Sequence, residues 1–266
     1  MIKLIASDID GTLIKDSTPD LYPEIVRTIK ALIGQGIIFC AASGRQYQSI
    51  KNVFRSIDED IVFIAENGAQ IRYQGKDISI TPMNRQYAEE IIKQLREYDR
   101  SCDIIVSTPN GSLLESRNKE FIDLITYGYR NEFTLVRDVL EEDAQIIKVS
   151  IYQKESIREL GEGVLIPRWQ DKVKACMAGD EWVDFMDASV DKGHALAFVQ
   201  EYFQIKKEET MAFGDNHNDI GMMRAAGESY AVETARTEVK KAAKYICPSY
   251  LEKGVYHVVK GLINEQ

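Results

Sequence analysis

Residues 2–14 read IKLIASDIDGTLI, a nearly unbroken apolar run that ends in Asp8 and Asp10, followed by Gly11 and Thr12. An apolar run of this length bounded by a turn signal reads as a strand buried on both faces, the kind found in parallel sheets covered by helices on each side. The rhythm repeats. Leu21, Ile25, Ile29 and Leu32 recur at helical spacing before Gly34 and Gly36, IIFCAA forms a second apolar run, Tyr47, Ile50 and Phe54 mark a second helix, and IVFIA is a third strand. This βαβαβ order predicts an α/β fold, a Rossmann-like doubly wound parallel sheet.

The pattern then changes. IRYQGKDISI reads as a hairpin about Gln74–Asp77. From Met83 to Asp187 a helix containing Ala88, Ile91, Ile92 and Leu95 is joined by strands CDIIVS and IIKVSIY and by a second hairpin, KVKACMA with EWVDFMD. After DKGHALAFVQEYF the βα rhythm returns with TMAFG, DIGMMRAA, SYAV and TEVKKAA. The expected organisation is a core of residues 1–82 and 188–266, with an α+β cap of residues 83–187 inserted between its halves. Residues 83–187 hold 14 Lys+Arg against 21 Asp+Glu, so the insert carries most of the net charge of −9 and is ill suited to clasp a polyanion. At 44% hydrophobic and 28% charged residues the chain is globular, with no apolar stretch of membrane-spanning length and no leader-like N-terminus, so a cytoplasmic protein is expected, with neither nucleic acid nor membrane as partner. Cys40, Cys102, Cys176 and Cys247 are far apart and lack a CxxC pair, and they read as buried free thiols.

In an open parallel sheet, ligands gather at the carboxyl ends of the strands. Four polar clusters follow core strands or open a helix: Asp8–Thr12, Ser43-Gly44-Arg45, Asp191-Lys192-Gly193 and Gly214–Asp219. Parallel topology brings them to one rim. Two like charges ~4 Å apart at an effective dielectric of ~20 cost about 4 kcal/mol, so several carboxylates beside a phosphate need compensation. A bound Mg²⁺ together with Lys192 supplies it. One aspartate can then attack phosphorus while a second carboxyl handles protons, and Ser43, backbone N–H groups and Lys192 hold the phosphoryl oxygens.

DIDGTL, Ser43 after an apolar strand, Lys192 near a helix start and GDNHND occur in an order that resembles the haloacid dehalogenase superfamily of aspartyl-phosphate phosphatases. The insertion after ENGA and the spacing to VDKGHAL resemble its Cof-type, subclass IIB members. The resemblance implies Asp8 as nucleophile and metal ligand, Asp10 as acid/base with its backbone carbonyl on the metal, and Asp215 as a further Mg²⁺ ligand. It also implies Ser43, Gly44, Lys192 and Asn218 as phosphate contacts, with Asp219 in support. The implied enzyme is a Mg²⁺-dependent phosphoric monoester hydrolase acting on a small phosphorylated metabolite such as a sugar phosphate. A phosphomutase sharing the aspartyl-phosphate, and a receiver-type phospho-acceptor module, are the alternatives. Asp10 and the long insert count against the module.

Other candidates read as structural. His217 is a solvent-facing loop residue, His194 and His257 lack metal-ligand spacing, and Trp169 and Trp182 belong to the cap core. Arg45 stands open between a substrate contact and a surface ion pair. GEG at 161–163 lacks the third glycine of a dinucleotide loop.

Overall fold

The computed structural model describes residues 1–15, 20–98, 102–129 and 131–263. The first segment supplies β1 (Leu4–Asp8), β2 (Ile38–Ala42), β3 (Val62–Ala65), β4 (Gln70–Tyr73) and β5 (Lys76–Ile80). The middle supplies β6 (Asp103–Thr108), β7 (Gly111–Glu115), β8 (Phe133–Leu135), β9 (Lys148–Tyr152), β10 (Lys174–Met177) and β11 (Trp182–Met186). The last segment adds β12 (Thr210–Gly214), β13 (Glu228–Val232) and β14 (Tyr245–Cys247). The strands form two sheets in two compact units, Met1–Ser79 with Asp191–Gln266, and Ile80–Val190. The pattern change in the sequence suggests joints at 82/83 and 187/188; the units divide at 79/80 and 190/191.

The core sheet has eight strands in the order β14-β13-β12-β1-β2-β3-β4-β5, parallel from β14 to β3 and turning antiparallel at β3–β4. β1 is central, and all five of its residues are buried, as its apolar run requires. The hairpin expected about Gln74–Asp77 joins β4 and β5, with Gln74 and Gly75 both at positive φ, the geometry of a two-residue primed turn. The helix Pro23–Gly34 buries Ile25, Ile29 and Leu32 against this sheet and starts at a proline, whose fixed φ suits the first turn. Register sets which loops share a rim. Asp8 lies opposite Ala42 and Ser7 opposite Phe213, so the chain leaves β1, β2 and β12 at one level, placing Asp8, Ser43 and Asp215 together.

The inserted unit has the sheet order β10-β11-β9-β6-β7-β8, antiparallel except between β7 and β8. Alternation separates its faces. Ile104, Val106, Val149, Ile151, Val183 and Phe185 pack with Ala88, Ile91, Ile92 and Leu95 of the helix Arg85–Tyr98. The other face is divided between an apolar cluster of Ile105, Leu114, Phe121, Ile125 and Tyr152 and buried polar residues including Lys148, Ser150 and Asp184. Trp169 lies in the first cluster and Trp182 packs against the second, as cap core. The expectation of four buried thiols needs correction. All four cysteines are free, but only Cys40 and Cys247 are buried, whereas Cys102 and Cys176 are partly exposed. Cys102 stands just before β6 begins, and Cys176 occupies β10, an edge strand, where coverage is incomplete.

Candidate active site

Asp8 closes β1, and the chain then turns through Gly11 at φ 81° before Ile14 rejoins Asp10 in a bridge. A Cβ on Gly11 would stand 2.7 Å from Asp215 Oδ2, so the close approach of this loop to Asp215 demands glycine. Thr12 Oγ1 donates to Asp215 Oδ1 at 3.0 Å, tying the loop after β1 to the loop after β12.

Carboxylate oxygens of Asp8, Asp215 and Asp219 lie within 4.8 Å of one another. Lys192, which opens the helix Lys192–Tyr202 behind the capping side chain of Asp191, is fully buried and donates to Asp8 Oδ1 at 2.6 Å and to Asp219 Oδ1 at 2.7 Å. A cation at a helix start opposes the helix dipole, and the two carboxylates outweigh that penalty. Burial and then Asp219 push the Asp8 carboxyl well above its ordinary range, with Lys192 only partly opposing them. Asp215 is raised for the same two leading reasons. The ammonium of Lys192 is pushed further up by Asp219 and Asp8 even though burial alone would lower it, so it stays charged.

The three acids are not equivalent. Asp219 Oδ1 is taken by Lys192, and its Oδ2 accepts from the backbone N–H groups of Asp215 and Asn216, both at 3.0 Å. Both oxygens are thus committed to donors, which makes Asp219 a brace. Asp8 Oδ2 is buried and has no hydrogen-bond partner among the described residues. A buried carboxylate oxygen without a donor is costly, and a hard cation between Asp8 and Asp215 would satisfy it. The donor set therefore fits a divalent metal.

Asp10 stands apart from this cluster. Its carboxylate accepts from Arg45 Nε at 2.7 Å, and the same guanidinium also grips the other oxygen through its NH2 group. Of the two uses the sequence left open for Arg45, the structure shows an ion pair, a part-buried fork on Asp10. Ser43 is 2% exposed, and its hydroxyl accepts from the Arg45 N–H at 3.1 Å, which leaves the hydroxyl proton free to donate to an anion. Gly44 follows; a Cβ there would sit 3.2 Å from the Asn67 carboxamide. Asn218 Nδ2 donates to Asn67 Oδ1 at 2.8 Å.

Asp8, Asp10, Ser43, Gly44, Lys192, Asp215, Asn218 and Asp219 all lie on the one rim of the core unit. Sequence reading missed Asn67 and the partnership of Arg45. His217 sits on the exposed side of its turn, 3.4 Å from Glu238. A cleft of about 540 Å³ in the other unit is lined by Glu90 and Glu97 together with Lys93, Arg168, Lys172 and Trp169, so its acids stand among basic side chains.

A family model described as haloacid dehalogenase-like hydrolase matches residues 5–259. The chain belongs to that family. Its haloacid dehalogenase fold is shared with a solved structure from Eubacterium rectale at 37% identity and TM-score 0.90, covering 98% of this chain and 99% of that one. The 5-amino-6-(5-phospho-D-ribitylamino)uracil phosphatase YbjI of Escherichia coli is 28% identical over 267 residues, covering 100% of this chain and 97% of the relative. A subclass IIB sugar phosphatase from the same superfamily, BT4131, shares the fold at TM-score 0.81 and 23% identity, with 98% of each chain covered. Within the family, this haloacid dehalogenase-like hydrolase is a phosphoric monoester hydrolase of the Cof type.

Proposed function

We propose that the chain is a Mg²⁺-dependent phosphatase that hydrolyses small phosphorylated metabolites, sugar or polyol phosphates in particular, through an aspartyl-phosphate on Asp8. The observation that carries this reading is the state of Asp8, buried at a strand end, with one oxygen on Lys192 and the other without a donor among the described residues. Asp8 attacks phosphorus as the bond to the leaving oxygen breaks, and Asp10 delivers a proton to that oxygen. Water then attacks the phosphorus of the aspartyl-phosphate, Asp10 takes a proton from it, the bond to Asp8 breaks and inorganic phosphate departs. Ser43 Oγ, the Gly44 N–H and the Asn218 carboxamide hold the phosphoryl oxygens, and Lys192 stabilises their charge. Mg²⁺ held by Asp8 and Asp215, with the Asp10 carbonyl as the third ligand that the family implies, would supply the positive charge that offsets the phosphate.

Arg45 fixes the place of Asp10 between these half-reactions. Its fork holds both Asp10 oxygens, so the carboxyl must leave at least one arm of the fork to reach the leaving oxygen. The substrate class draws support from the relatives. The Escherichia coli protein is named for a phosphate ester on a ribityl chain, and BT4131 for sugar phosphates.

Asp8→Asn keeps the side-chain shape and removes the nucleophile, so phosphate release should fall roughly 10³-fold or more with circular dichroism unchanged. Chelation of divalent cations should abolish turnover in the same assay. A stoichiometric burst of phosphate uptake without turnover would overturn the hydrolase reading in favour of a phospho-acceptor module.

A further inference from the structure

We propose that Asn67 is a positioning residue of the phosphate pocket, an inference that rests on the phosphatase reading above. In the sequence, Glu66-Asn67-Gly68 shows only a turn after β3. In the structure its three residues have φ of 49°, 58° and 106°, two of them without glycine's freedom. Successive left-handed residues persist only where the surroundings hold them, and such backbone clusters at functional sites.

The surroundings here are the phosphate loops. The Glu66 N–H donates to the Arg45 carbonyl at 3.0 Å and the Asn67 N–H to the Ser43 carbonyl at 2.9 Å. On the far side, a Cβ at Gly68 would lie 2.8 Å from the carbonyl of Asp191, the residue before Lys192. The turn is therefore wedged between the Ser43 loop and the start of the Lys192 helix. Its side chain reaches a third element, because Asn67 Oδ1 accepts from Asn218 Nδ2 at 2.8 Å while the same carboxamide abuts Gly44. Asn218 Oδ1 is buried without a donor among the described residues, so the contact that orients this carboxamide runs through its amide nitrogen. One amide proton of Asn218 is committed to Asn67, and the plane of the group is thereby fixed so that the second proton has a set direction for a phosphoryl oxygen. Asn67 thus acts on phosphate through Asn218 and Gly44, without touching it.

The test is a double-mutant cycle on the full chain. Asn67→Gly removes the carboxamide while keeping a residue at ease at positive φ. The kcat/KM on a phosphomonoester and the inhibition constant of inorganic phosphate are measured for wild type, Asn67→Gly, Asn218→Ala and the double variant, each below its thermal midpoint. Each single change should lower kcat/KM about 10- to 100-fold and weaken phosphate binding, the range for groups that orient a ligating side chain. The double variant should be at most about threefold worse than the poorer single one, because the two act as one unit. Losses that multiply, or a wild-type rate in Asn67→Gly, would overturn the proposal. If Asn67→Gly fails to fold, Asn67→Ser, too short to reach Asn218, enters the same cycle with the same expected result. Asp8→Asn serves as the reference. If it abolishes phosphate release while Asn67→Gly keeps the wild-type rate, only the role of Asn67 falls; if it leaves release unchanged, the phosphatase reading falls first.

Discussion

Each unit buries a lysine beside an aspartate, and the two arrangements differ in balance. In the inserted unit Lys148 and Asp184 lie 3.5 Å apart, each about 8% exposed, and Ser150 Oγ donates to the same aspartate at 2.7 Å. One positive charge meets one negative charge, and a hydroxyl supplements the acceptor. In the core unit one ammonium serves three clustered carboxylates, two of them by direct contact. Such a cluster keeps negative charge that no side chain within it cancels, and it leaves an oxygen of Asp8 without a donor among the described residues. Buried charge that balances is structural; buried charge that does not balance is poised for a ligand.

The sharpest way to break this comparison is to take out the lone ammonium of the core cluster and, in the cap, the balanced pair as a whole. Lys192→Met strands Asp8 and Asp219 and should cost about 3–5 kcal/mol in urea unfolding at neutral pH. Replacing the whole cap pair by apolar residues, Lys148→Met with Asp184→Leu, should change stability little or raise it by about 1–4 kcal/mol. Equal losses at both sites would erase the distinction.

A smaller effect comes from supplying the missing charge. Free Mg²⁺ at a hundred times its dissociation constant should stabilise the wild type by about 2.7 kcal/mol, seen as a raised thermal midpoint. Asp215→Ala should lose that gain, and the cap double variant should keep it.

The smallest effect is a pH dependence. Below about pH 4 Asp8 is protonated in both the folded and unfolded chain. Between there and its raised native value, the folded chain binds the extra proton, so this group makes stability fall as pH rises. In chelator, the stability advantage of Asp8→Asn over wild type should therefore be least near pH 4 and grow with pH to a plateau. Thermal midpoints from pH 4 to 8 read it directly, and an advantage that is flat with pH would contradict the burial of an ionised Asp8.

Much of this molecule was legible in the sequence because its signals were local. The apolar runs at Leu4–Asp8, Ile38–Ala42 and Thr210–Gly214 each became a buried parallel strand, and each ended in the polar cluster that reaches the rim. What stayed hidden was pairing over distance. Arg45 meets Asp10 across 35 positions, and Asn218 meets Asn67 across 151. Nothing in residue type announces such a pair, since an arginine after Ser-Gly has many uses and Asn-Gly is an ordinary turn signal. A usable clue was position, because Glu66–Gly68 follows a core strand at the same end as the other clusters. The short strands Gly111–Glu115 and Phe133–Leu135 escaped for another reason: the first opens on glycine and serine, and the second has only three residues, too few for a period to show.

The core sheet seats β1 between β2 and β12, strands contributed by opposite ends of the chain. During synthesis, the inserted unit is contiguous and can consolidate early, whereas the first five core strands emerge with the middle of their sheet still open on one side. Lys192, Asp215 and Asp219 leave the ribosome only after the whole insert. A truncated or stalled polypeptide therefore carries Asp8 without the ammonium that meets it in the finished fold, and the rim is assembled only when the last segment has joined the sheet.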